Sequence, residues 1–98
     1  MSLYMIDIQL PDDFTPDFIE LIPYQRAHID QLMNNGKVVS YSLAANRSKL
    51  WVIIDADNRR EVYDILSGFP IFDYIKPIVS ELAFHNHAEH GLLQFSLN

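Results

Sequence analysis

Ninety-eight residues suffice for one small domain, 1–98, and the 49% apolar and 20% charged content is that of a globular chain. The formal net charge of −6 disfavours a nucleic-acid partner or an anionic membrane surface, both of which want clustered Lys and Arg. The chain has no cysteine, which excludes disulfides, thiolate catalysis and Cys-ligated zinc and suits a cytoplasmic setting.

The first residues carry no basic segment and no long apolar run, so no secretory signal is expected. No stretch is apolar for long enough to span a bilayer. Residues 3–10 place Tyr4, Ile6, Ile8 and Leu10 on one side, which is strand periodicity. Thr15, Pro16 and Asp17 make a helix start: a capping hydroxyl, a proline at the first helical position, then an acid. The helical pattern runs to Asn35. Pro23 is expected to kink or restart it, and Gly36 to stop it.

Residues 38–45 and 50–55 read as a second and a third strand, joined by a hairpin at 46–49. Asn58 and Glu61 have capping-box spacing. Val62, Ile65, Leu66 and Phe69 form the apolar stripe of a second helix, closed by Gly68 and Pro70. Residues 74–85 read as a fourth strand. Pro77 cannot donate to a ladder, so this strand belongs at an edge.

The order β-α-β-β-α-β matches the ferredoxin-like α+β fold: a four-stranded antiparallel sheet with two helices on one face. In that fold the first and third strands are central and the fourth lies at an edge. The uncovered face should then be polar in a monomer. Instead Trp51 and Ile53, with Leu3, Met5, Val39, Tyr41 and Leu43, are expected to build a second apolar face. Exposing it costs roughly 25 cal/mol per Å². A sheet-to-sheet dimer, closing a dimeric α/β barrel, is the expected remedy.

The run LSGFPIFDY, from Leu66 to Tyr74, resembles the segment after the second helix in the muconolactone isomerase family. Leu10-Pro11, Asp13, Pro16, Gly36, Asp55, Leu82 and His85 fit the same pattern. The resemblance implies a ferredoxin-like homodimer or larger ring, and a place in aromatic catabolism. It also implies a double-bond shift in a small carboxylated lactone by proton transfer, with no metal or organic cofactor.

That chemistry needs a base in a desolvated pocket and a donor or cation to steady the enolate. On a wheel at about 100° per residue, Phe18, Ile22, Ile29, Leu32 and Met33 share one face of the first helix. Gln25 falls in its middle. The resemblance implies an acidic residue around this position, and glutamine cannot serve as a proton base. His28 is the expected replacement base on the helix, one turn after Tyr24, and His85 the second candidate. Arg26 can grip a carboxylate. Tyr24, Gln25, Arg26, Tyr41, Trp51, Phe72 and Tyr74 are the expected ligand contacts. Tyr41 and Trp51 also suit a dimer core, and Phe72 and Tyr74 a packed turn. Asp7, a charge on a central strand, requires a partner such as Arg47 or Lys49.

The stretch FHNHAEH, Phe84 to His90, raises the question of a metal site. His85 and His87 would share a side if extended, and Glu89 or His90 would add a ligand. The expectation is a strand end running into a connector, with no metal. Residues 86–98 then form a C-terminal extension. Leu93, Phe95 and Leu97 alternate with polar residues there, as in a half-buried strand docked on a neighbouring subunit.

Overall fold

The computed structural model describes residues 2–88. Among them the order is β1 (Ser2–Gln9), α1 (Pro16–Asn34), β2 (Val38–Leu43), β3 (Lys49–Ala56), α2 (Arg59–Ser67), a short 3₁₀ turn (Phe72–Tyr74) and β4 (Lys76–Glu81). The strands form one antiparallel sheet in the order β2-β3-β1-β4. β1 and β3 are central and the Pro77 strand is an edge, as the sequence implies. The expected extension is described only as far as Ala88. Glu89, His90 and the apolar alternation beyond them lie outside the described residues.

Local chemistry sets the helix ends. The Thr15 hydroxyl accepts the Phe18 N–H at 3.3 Å. At the other end Gly36 has φ +80, and Lys37 N–H reaches back to the Leu32 carbonyl at 2.9 Å. α1 continues through Pro23 rather than restarting. Pro23 is exposed, so water can replace the missing backbone bond. α2 begins on a reciprocal cap. Asn58 Oδ1 accepts the Glu61 N–H at 2.9 Å, and Glu61 Oε1 accepts the Asp57 N–H at 2.7 Å. Lys37 Nζ then pairs with Glu61 at 2.9 Å, tying the end of α1 to the start of α2.

Both helices cover one sheet face. Tyr4, Ile6 and Ile8 of β1 pack with Val52 and Ile54 of β3 beneath Phe18 and Ile29 of α1 and Val62 and Leu66 of α2. Each such side chain contributes about 1.5–3 kcal/mol on burial. Asp7, on the other face, pairs with Lys49 at 3.3 Å, one of the two expected partners.

Two expectations are corrected. The fourth strand is shorter than residues 74–85. Tyr74 belongs to the 3₁₀ turn, and pairing with β1 ends soon after Glu81, where Leu82 N–H bonds the Leu3 carbonyl. β4 ends at Glu81, so His85 is not on a strand.

The second correction concerns β2. Its register against β3 shifts between Val38 and Ser40: Val38 opposes Ile54, but Ser40 opposes Ile53. The extra residue, Val39, is a bulge that inverts the alternation after it. Tyr41 and Leu43 therefore oppose the inward Val52 and Leu50, on the helix side of the sheet. They leave the outer apolar face on which simple alternation placed them. That face keeps Met5, Trp51 and a buried Ile53, joined by Ile78 from β4.

Candidate functional site

A cavity of about 610 Å³ lies between α1 and the helix-side face of β2 and β3. Its wall is mostly apolar: Phe14, Phe18 and Ile22 face Leu43 and Leu50, and Ile71 adds to them. Phe14 and Phe18 rings lie 4.6 Å apart, and Tyr74 meets Phe18 edge-on at 5.3 Å. The volume and lining suit a small organic molecule.

The polar groups of the cavity divide by depth. Arg26, Asp30 and Arg47 line it and are exposed, so they mark its rim. Arg47 reaches the rim from the β2–β3 turn, where its φ is 61. Asn46 Oδ1 stabilises that turn by accepting the Ser48 N–H at 3.0 Å and hydroxyl at 2.6 Å. Gln25 is 3% exposed and sits at depth. Its Oε1 accepts the Ile71 N–H at 3.3 Å, while its Nε2 has no well-formed hydrogen bond among the described residues.

Tyr41 faces the same space. Burial pushes its phenol above the ordinary value, opposed by the Gln25 amide and by Arg26. The phenol thus stays protonated through the physiological range.

Of the expected contacts, the cavity brings together Gln25, Arg26 and Tyr41. Tyr74 supports the lining through Phe18. The other residues lie elsewhere. Tyr24 is 69% exposed, Trp51 is on the outer sheet face, and Phe72 is at the surface of the 3₁₀ turn. His28 packs edge-on against Phe69 at 6.1 Å, and its Nε2 lies beside Gly68, toward α2 rather than the cavity. His85 follows β4, with its ring 5.8 Å from that of His87. Among the described residues no group of three or more His, Asp or Glu side chains could hold a metal ion.

Sequence reasoning missed Asp30 and Arg47 as parts of the site. Asp30 lies one helical turn beyond Arg26, a spacing that places it on the same flank. No local signal brings a turn residue such as Arg47 to the first helix.

The family model described as muconolactone delta-isomerase matches residues 3–88. The chain is 29% identical over 86 residues to a muconolactone delta-isomerase of Cupriavidus pinatubonensis, covering 87% of this chain and 94% of that protein. It is 27% identical over 81 residues to muconolactone delta-isomerase 1 of Acinetobacter lwoffii, covering 82% and 84% of the two chains. Two solved structures share the fold. A muconolactone isomerase superposes with a TM-score of 0.71 at 21% identity, over 90% of this chain and 95% of its own. A 5-chloro-2-hydroxyhydroquinone dehydrochlorinase from Burkholderia phenoliruptrix, in complex with 2,5-dihydroxybenzoquinone, superposes at 0.65 and 17% identity, over 90% and 97%.

Proposed function

Since the chain belongs to the muconolactone delta-isomerase family, we propose that it binds a small carboxylated lactone or related metabolite and moves a proton beside its carbonyl. The observation that carries this reading is the cavity: an apolar, aromatic chamber whose rim bears two guanidiniums and a carboxylate. Arg26 and Arg47 would hold the ligand carboxylate, as planar donor forks do well. Asp30, on the exposed rim, is the carboxylate of the lining and takes the place of base, with the bound ligand itself having to shield it from water. In this scheme it removes the proton from the carbon attached to the far end of the conjugated double bond, giving a dienolate on the carbonyl oxygen. It then delivers a proton, exchangeable with solvent, to the carbon beside the carbonyl as the double bond shifts, so nothing is consumed. The scheme needs no metal or organic cofactor.

The same reading includes a homodimer or larger ring. Met5, Trp51, Ile53 and Ile78 give the sheet face away from the helices an apolar strip that a second sheet would cover.

The test uses muconolactone in deuterated water, followed by NMR. Catalysis incorporates deuterium at the carbon beside the carbonyl, and Asp30→Asn abolishes incorporation while binding persists in calorimetry. A second reading, a binding protein without turnover, is favoured by one observation: an amide, Gln25, is the buried polar group of the cavity. Binding with no incorporation selects that reading, and absence of binding overturns both.

A further inference from the structure

The donor end of the Gln25 amide, which no well-formed hydrogen bond engages among the described residues, points to the part of the ligand that reaches the cavity floor. A primary amide has one acceptor oxygen and two N–H donors. In Gln25 the oxygen is committed, because Oε1 accepts the Ile71 N–H at 3.3 Å. Turning the amide over would set an N–H2 group against that N–H, donor against donor. The orientation is therefore fixed by Ile71, and Nε2 presents its donors without a well-formed partner among the described residues. Buried polar groups are seldom left so. This one is 3% exposed and lines a cavity large enough for a guest.

Tyr41 adds a second donor. The Val39 bulge turns its phenol to the helix side, where it lines the same cavity and feels the Gln25 amide. If one Nε2 hydrogen is directed at the phenol oxygen, the other remains for a guest, and the phenol proton is then free to be donated as well. Both groups are neutral. Neither accepts a proton at ordinary pH, and both can give a hydrogen bond to one oxygen.

We infer that Gln25, held by the Ile71 N–H, and Tyr41 form a neutral two-donor seat for a carbonyl-type oxygen of the ligand. This deepens the proposed function and rests on it. It assigns the ligand a polarity: an anionic carboxylate at the Arg26 and Arg47 rim, and an uncharged acceptor oxygen, lacking a hydrogen of its own, at depth. Gln25 then acts as a donor to the oxygen, where a carboxylate at the same position would repel it. The seat also fits the electronic course of proton removal, since a carbonyl oxygen gains negative charge as a carbon conjugated with it loses a proton.

Two probes test the seat. One is a saturated carboxymethyl lactone. The other is the matching cyclic ether, with a methylene group in place of the carbonyl. Calorimetric affinities should favour the lactone by about tenfold or more, the usual consequence of leaving a buried donor unpaired. Gln25→Leu and Tyr41→Phe should each shrink that ratio, with Gln25→Leu bringing it close to one. Melting curves establish that each variant is folded, and Tyr41→Phe carries the test if Gln25→Leu does not fold. Equal binding of the two probes by the unaltered protein overturns the seat and leaves the proposed function standing. Persistence of the full ratio in a folded variant overturns the seat in the same way. Binding of neither probe overturns the seat together with the proposed function.

Discussion

The Gln25 side chain accepts the backbone N–H of Ile71 at 3.3 Å, joining α1 to the segment after α2 across 46 residues of sequence. Ile71 is 2% exposed and lies within the run that follows the second helix. One bond therefore closes the cavity floor and orients the amide that lines it. Gln25→Glu would keep an acceptor for Ile71 but bury a carboxylate. Its folded pKa would rise above the unfolded value, so the variant should match the parent in acid and lose stability as pH climbs through the raised value. The expected deficit at neutral pH is about 3 kcal/mol by chemical denaturation.

Tyr41 should titrate late. Burial raises its phenol, with Gln25 and Arg26 only partly opposing. Above the ordinary phenol value the unfolded chain ionises this tyrosine and the folded chain does not, so stability falls as pH rises through that window. A late step from Tyr41 should appear in ultraviolet titration of the folded protein. It should vanish in Tyr41→Phe.

Removing Val39 should restore unbroken alternation along β2. Val38, Ser40 and Tyr41 would still oppose Ile54, Ile53 and Val52, so Tyr41 and Leu43 keep the helix side and Ser40 and Ser42 the outer face. Affinity for the carboxymethyl lactone should therefore stay within about threefold of the parent's, since the buried donor keeps its place. A folded deletion variant that no longer binds the carboxymethyl lactone would contradict Val39 as the extra residue of the bulge.

Acid should weaken the junction between α1 and α2. The Asp57 N–H and then Lys37 hold the Glu61 carboxyl below its ordinary value, and Glu61 in turn raises Lys37. The Glu61 contribution is present above the ordinary glutamate value and lost as pH falls through its depressed one. The Lys37 contribution is present below the ordinary lysine value and lost as pH rises through its raised one. Both groups are solvent-screened, so the effect should be small and should shrink with salt. Melting curves of Glu61→Gln should depend less on acid pH than those of the parent.

Trp51→Lys tests the outer sheet face. Trp51 is 38% exposed and flanks the buried Ile53 near Met5 and Ile78. A lysine at this position would place an unpaired charge in the proposed sheet-to-sheet interface. Sedimentation at micromolar concentration should show the parent assembled and the variant shifted toward monomer. A parent that sediments as a monomer would dismiss the interface.

Local sequence carried most of the fold. Alternation at Tyr4, Ile6 and Ile8, the caps at Thr15 and Asn58, and the stop at Gly36 report backbone needs that neighbouring residues satisfy. Pro77 spoke for an edge because its missing donor is a property of the residue itself. Gln25 was legible as well, since a polar residue amid an apolar helical stripe must meet something polar.

What remained was decided by contacts between distant parts of the chain. The bulge at Val39 depends on how β2 meets β3, and nothing in the alternation of 38–43 announces an extra residue. His28 faces α2 because of how the two helices sit on the sheet, although its place on the wheel is near the site. Arg47 comes to the rim through a turn, and Ile71 meets Gln25 only when both helices pack on one face. Periodicity is a property of neighbours along the chain. The cavity is a property of register and packing between elements, which only the assembled sheet and helices determine.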